Sequence, residues 1–320
     1  MTASMAQFRD VTLRDGLQLT GKLVDAESKV ALIRRLFELG VPELEIGSMA
    51  RPDLVPPMAN TTEVISLLSA EELEHCWIWV AVPRQLIRAA DAGATRFQFC
   101  FSASESHNQA NVNRSVQRSL DGLAAAVLVA KELGATVQLA LATSFTCPFE
   151  GPVDPDRVLS IITDERVAGV SHVVLADTIG QAVPHQVAEL VTAVSQELVP
   201  ERIAFHGHDT WGLGVANSLA ALQAGAAFVD GTLGALGGCP FAPGASGNTA
   251  IEDLLFAAQP RALRPDTFHA LVALSERLLD QLGEQNRSRA VEGARATVGP
   301  FPWAPEVRRE TTRTTESTSN

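Results

Sequence analysis

The sequence predicts an α/β barrel, and three observations carry the prediction. Short apolar runs alternate with segments whose apolar residues recur at three and four, from the N-terminus to about residue 285. The connections between these units are short, which favours strands laid parallel with helices between them. Eight strand-then-helix units can be read in 320 residues, the number and size of a closed (β/α)8 TIM barrel. An open doubly wound sheet is the rival, but the Gly-x-Gly-x-x-Gly that usually follows its first strand is absent here.

The first strand is expected to begin at Phe8 and run through residue 14, ending in Thr12-Leu13-Arg14-Asp15-Gly16. Val30, Ile33, Leu36 and Phe37 mark a helix from Asp25, a suitable N-cap, to Leu39, with Gly40 as its stop. Val41–Ile46 is the second strand, carrying Glu45, and a helix near Thr62–Ser69 precedes the third strand, Cys76–Val82. A helix near Gln85–Ala92 leads to a strand at Arg96–Phe101, and a long helix at Val116–Leu133 leads to Thr136–Ala142. Helix Pro155–Thr163 precedes strand His172–Ala176, and helix Pro184–Leu198 precedes strand Arg202–His208. Helix Leu213–Ala224 leads to the eighth strand, Ala227–Gly231, with helices at Ile251–Ala258 and Thr267–Leu282 after it. Residues 1–290 are read as the catalytic domain and 291–320 as a polar, disordered tail, since the last residues carry almost no apolar side chains.

Composition narrows the function. A net charge of -12 argues against non-specific nucleic-acid binding, which needs basic surface. No segment approaches eighteen continuous apolar residues and no signal core opens the chain, so a soluble, cytoplasmic protein is expected. Cys76, Cys100, Cys147 and Cys239 show no Cys-x-x-Cys spacing and read as reduced thiols. Cys76 and Cys100 fall in apolar strands as core filler, and Cys147 lies in a loop.

The segment from Gly234 to Asn248 holds five glycines and two prolines around Cys239, too broken for helix or strand. In a TIM barrel the chemistry gathers at the C-terminal strand ends. Those ends carry Arg14 and Asp15, Glu45, Ser104 and Glu105, Thr143, Asp177, and His206 and His208, with Asn248 closing the Gly-rich loop. His206 and His208, two apart on a strand, point the same way and can share one metal ion. With Asp15 and Asn248 they make two nitrogens and two oxygens, an oxygen-rich set suited to six-coordinate Mg²⁺ or Mn²⁺. Arg14 then reads as a fixed cation facing a developing enolate, or as a rim ion pair; Glu45 and Asp177 read as assisting carboxylates or as buried, paired ones. Asp209 faces away from the histidines and reads as structural support. Cys239 is the thiol best placed to exchange a proton above the metal.

Several of these stretches carry a family resemblance. Arg14-Asp15-Gly16-Leu17-Gln18, Asp177-Thr178-Ile179-Gly180, His206-Gly207-His208-Asp209-Thr210 and Leu236-Gly237-Gly238-Cys239-Pro240 through Asn248 resemble the 3-hydroxy-3-methylglutaryl-CoA lyases of the metallolyase TIM barrels. Val55-Pro56, Ser104-Glu105-Ser106 and Cys147-Pro148-Phe149-Glu150-Gly151 follow in the same order. The resemblance implies a divalent metal on Asp15, His206, His208 and Asn248, Arg14 beside an enolate, Cys239 as the proton-transfer thiol, an acyl-CoA substrate and a homodimer. The implied reaction is retro-Claisen cleavage to acetyl-CoA and acetoacetate. The chain departs from that pattern at Leu19-Thr20, Gly47-Ser48-Met49, Ala176 and Gly207, two of these where the acyl group should bind, so a different branched 3-hydroxyacyl-CoA is also open. A condensing enzyme of the same family acting on a 2-keto acid, or a barrel that binds ligand without catalysis, are the alternatives.

Overall fold

The computed structural model describes residues 4–238 and 247–296, the side chain of Ala6 aside. Eight parallel strands close a barrel in sequence order: β1 (Phe8–Asp10), β2 (Glu43–Ser48), β3 (Cys76–Val80), β4 (Arg96–Ser102), β5 (Thr136–Ala142), β6 (Val173–Asp177), β7 (Ile203–Gly207) and β8 (Phe228–Gly231). Closure comes from β1 pairing with β8 through Arg9 and Asp230 and with β2 through Arg9 and Glu43. All strands being parallel, their C-terminal ends share one rim, and the loops that follow them meet there.

Strand periodicity sorts the side chains into two cores. Phe97, Phe99 and Phe101 of β4 and Val137, Leu139 and Leu141 of β5 face outward. They join Ile33 and Leu36, Leu120 and Leu123, and Val187 and Val191 from the surrounding helices in one buried cluster. Each such fully buried apolar side chain contributes about 1.5–3 kcal/mol. The alternate positions face the barrel axis. Near the N-terminal end, Glu43 accepts from Arg96 at 2.6 Å and from the Trp77 indole at 2.8 Å, and the Arg9 guanidinium lies 4.6 Å over the Phe228 ring. This packed layer closes the floor of the barrel.

Several elements depart from the sequence reading. β1 stops at Asp10 instead of running to residue 14. The Asp10 carboxylate accepts from the Thr12 amide at 3.0 Å and its hydroxyl at 2.8 Å, which turns the chain out of the sheet. A π-helical turn, Thr12–Gly16, follows and carries Arg14 and Asp15. β2 lies two residues later than expected. A helix at Glu105–Val112 was not expected, because its buried residues are His107 and Asn108 and its sequence shows no apolar stripe. A last helix, Arg289–Arg295, spans the expected boundary at 290 and buries Ala290, Val291 and Ala294. Residues 297–320 lie outside the described residues, as do Cys239 and most of the Gly-rich loop.

Candidate active site and metal centre

The π-helical turn after β1 is the first component of the site. Its wide i to i+5 bonds, Gly16 N to Val11 O at 3.2 Å and Leu17 N to Thr12 O at 2.9 Å, present two consecutive side chains, Arg14 and Asp15, to the rim. β7 supplies His206 and His208 on the same rim. Between them, a Cβ on Gly207 would meet the Phe205 ring at 2.6 Å, so the glycine leaves room for that ring. One ligand atom each from Asp15, His206 and His208 lies within 4.8 Å of the other two.

Asn248 reaches this cluster through a backbone clasp. Asp209 N donates to Gly247 O at 2.9 Å, and Thr249 N donates to Gly207 O at 3.2 Å, pinning the 247–249 segment to the end of β7. Asn248 Nδ2 donates to Asp15 Oδ1 at 3.0 Å and to Leu236 O at 3.1 Å. Gly237 makes that position possible: its φ is +124°, and a Cβ there would stand 2.5 Å from Asn248 Nδ2. Gly247, with φ +95°, lies so close to the Gly237 backbone that a Cβ would meet its carbonyl oxygen at 2.3 Å.

The donors fit a hard divalent cation. His206 Nδ1 is held by Asp230 Oδ2 at 3.0 Å, which leaves Nε2 as its ligand nitrogen. Asn248 Oδ1 and His208 Nδ1 are buried and have no hydrogen-bond partner among the described residues. A buried acceptor left unpaired costs about 1–3 kcal/mol, a cost that a cation taken up by the carboxamide would remove. Burial works against ionising Asp15, but Arg14, His206 and His208 outweigh it and hold the carboxyl below its usual range. Burial also pushes His208 down to about 4, so the imidazole stays neutral and able to ligate at neutral pH.

Arg14 connects the metal cluster to the barrel interior. It donates from Nη1 to Asp15 Oδ2, its Nε stands 3.7 Å from Glu45 Oε1, and its guanidinium lies 5.3 Å over the Trp79 ring. Glu45 sits where the β2–β3 register slips between Glu45 and Gly47, a bulge that re-aims strand residues beside a site. Burial pushes its carboxyl up to about 7, against the pull of Arg14 and Arg9. Asp177 is turned differently. Its oxygens accept from the Gln181 and Ala182 amides at 3.0 and 3.1 Å, so it braces the loop after β6, and burial raises it to about 6.

The remaining rim residues are structural. Glu105 accepts from the Val116 amide at 3.0 Å, and the Ser104 hydroxyl stands 3.1 Å from that of Thr143 and donates to the Cys147 sulfur at 3.0 Å. Cys147 also receives the Phe149 and Glu150 amides, which makes it a turn residue. Asp209 accepts from Gly214 N at 2.7 Å and starts the following helix, in line with its expected supporting part.

Four contributors went unread in the sequence. Asp230 ties His206 to the Arg9 guanidinium, with both Arg9 contacts at 2.8 Å. Gln98 accepts from Arg9 at 3.3 Å and donates to Glu45 at 2.7 Å, and Trp79 stacks on Arg14. The available signal was a charged or amide side chain at an inward strand position, as in Phe228-Val229-Asp230-Gly231. A cavity of about 360 Å³ opens beside these groups, with Arg14, Asp15, His206, His208, Trp79 and Gly238 on its walls. Cys100 is core filler as expected, in a small buried cluster with Ala140, Ala142 and Val174, and on its inner side it also lines this cavity. A larger cavity of about 870 Å³ beneath Arg289–Arg295 holds none of the metal-cluster residues.

The chain matches a known family and several of its members. The HMGL-like family model matches residues 5–277. The chain is 37% identical to a (R)-citramalyl-CoA lyase of Chloroflexus aurantiacus, over 77% of this chain and 81% of that protein. It is 32% identical to the 3-hydroxy-3-isohexenylglutaryl-CoA/hydroxymethylglutaryl-CoA lyase of Pseudomonas aeruginosa, over 88% of this chain and 95% of that one. The solved structure of an HMG-CoA lyase from Acinetobacter baumannii, in complex with coenzyme A and 3-methylmalate, superposes with a TM-score of 0.84 at 33% identity, covering 94% of this chain and all of that one. The closed barrel, the clustered Asp15, His206 and His208, and these matches place the chain in the HMGL-like family.

Proposed function

We propose that the protein is a metal-dependent carbon–carbon lyase. Its substrate is 3-hydroxy-3-methylglutaryl-CoA or a close branched 3-hydroxyacyl-CoA, and its products are acetyl-CoA and a keto acid such as acetoacetate. The observation that carries this reading is the meeting of Asp15, His206 and His208 beside Arg14 on one cavity wall. Asp15, His206, His208 and Asn248 would hold Mg²⁺ or Mn²⁺, which when bound polarises a hydroxyl and holds a carboxylate.

In this reading the 3-hydroxyl loses its proton to a base, and the C2–C3 electron pair passes to C2 as the thioester enolate. Arg14 stabilises the enolate oxygen as charge develops, an effect typically worth about 10²–10³ in rate. Glu45, raised to about 7 by burial, can hold or release a proton near neutral pH. Cys239 returns a proton to C2; Gly238, next to it in sequence, lines the cavity. Asp177 supports this chemistry by fixing the loop after β6. The same reading includes a homodimer and a cytoplasmic location. No helix among the described residues is long and apolar enough to cross a membrane.

A second substrate is favoured by the 37% identity to a citramalyl-CoA lyase. Citramalyl-CoA is one methylene shorter and yields pyruvate. The test is an assay of the purified protein with both thioesters and Mn²⁺, with and without EDTA. EDTA-sensitive acetyl-CoA is the expected result, and the co-product, acetoacetate or pyruvate, assigns the substrate. Cys239→Ala should lower turnover by orders of magnitude with Mn²⁺ still bound. Thiol release from acetyl-CoA and a 2-keto acid, without cleavage of either ester, would replace the lyase reading with a condensing one.

A further inference from the structure

The cavity is chemically two-sided. Its charged groups, Arg14, Asp15, His206, His208 and Asp230, come from the turn after β1, from the end of β7 and from β8. Along the opposite strands, β3 to β6, the lining is Gln98, whose amide is engaged by Arg9 and Glu45, and six apolar residues, Trp79, Cys100, Ala140, Ala142, Val174 and Ala176. The registers make this wall continuous: Cys100 pairs with Ala140, Ala140 with Val174, and Ala176 with the ligand His206. Three of the six are alanines. Among the described residues lining the cavity, Arg14 is the one arginine and there is no lysine.

This asymmetry orients a tertiary carbinol. The hydroxyl and the carboxylate-bearing arm of the substrate belong on the charged side, and the thioester arm lies toward Arg14 and the mouth. The fourth group on C3 is left facing the alanine wall. A carboxylate there would find no cation, whereas an alkyl group would displace water from apolar surface.

We propose that this wall is a trough for the C3 substituent, and that the preferred substrates carry an apolar C3 group larger than methyl, with Ala140 setting its depth. The proposal rests on the lyase reading above for the placement of the other three groups. Each methylene that enters the trough should improve recognition about fourfold until it is full.

The experiment compares 3-hydroxy-3-methyl-, 3-propyl- and 3-isopentylglutaryl-CoA with the Mn²⁺-loaded enzyme, and repeats the series with Ala140→Leu and Ala142→Val. The expected result is kcat/KM that rises from methyl to propyl, and a propyl-to-methyl ratio at least tenfold lower in the filled variants. A wild-type preference for methyl, or a ratio that neither variant moves, overturns the trough. The free 3-hydroxy-3-alkylglutarates, titrated calorimetrically in Mn²⁺, separate the two failures. If no thioester is cleaved, the lyase reading fails, while affinity rising with alkyl length still supports the trough and a flat or falling series overturns it.

Discussion

At the scale of single residues, Arg14 is placed to serve two partners in turn. It neutralises Asp15 through a direct ion pair and stands within 3.7 Å of Glu45. In the lyase reading a cation held at Asp15 would compete with that pair and would leave the guanidinium to a developing oxyanion. Arg14→Gln should therefore lower kcat about 10²–10³-fold, the cost of losing one oxyanion-stabilising group. Mn²⁺ affinity, measured calorimetrically, should be unchanged or tighter. A loss of metal together with activity would make Arg14 a structural support of the centre. Asp15, His206, His208 and Arg14 were readable as rim residues because their residue types are rare at strand ends and carry their own chemistry. Asp230 and Gln98 were not. They matter through partners 24 to 221 positions away, Gln98 through Glu45 and Arg9, Asp230 through His206 and Arg9, and no local spacing announces such contacts.

At the scale of elements, legibility followed the apolar period. Thr136–Ala142 and Ile251–Ala258 fall where alternation and amphipathicity put them. Glu105–Val112 escaped because it buries a histidine and an asparagine in place of a stripe, with Asn108 Oδ1 taking the Ser102 amide at 2.9 Å. The turn after β1 escaped because a strand that ends in an Asx turn and a π turn looks, by composition, like a strand that continues. The Gly-rich loop was recognisable as special, but not the contact at its base. That contact makes a sharp prediction for Gly237→Ala. The added Cβ would overlap Asn248 Nδ2, and the left-handed φ would be strained as well. Mn²⁺ affinity should fall at least tenfold while far-ultraviolet circular dichroism is retained. Unaltered affinity would remove Asn248 from the ligand set.

At the scale of the molecule, the proposed metal ligands come from distant parts of the chain, Asp15 near the start and His206, His208 and Asn248 more than 190 residues later. They also straddle the β1–β8 seam where the barrel closes. A cation held by all four ties that seam, and one absent from the unfolded chain stabilises by about 2.7 kcal/mol at a hundredfold excess over Kd. Mn²⁺ should raise Tm by several degrees and EDTA should reverse the shift. The same titration on His208→Ala should show little or no shift. An equal shift in both proteins would mean that the stabilising ion binds elsewhere.

The contact between Gly237 and Gly247 has a further consequence. Gly237 and Gly247 are in contact, so the nine residues from 238 to 246 are, in sequence, an insertion between two positions that already touch. Such an insertion is a cassette. Its sequence and length can be exchanged by evolution or in the laboratory while Asn248 stays where the junction holds it. Replacing it with a short turn should leave a barrel that still takes up Mn²⁺ but has lost Cys239, and grafting a relative's cassette should transfer that relative's loop chemistry onto this metal centre.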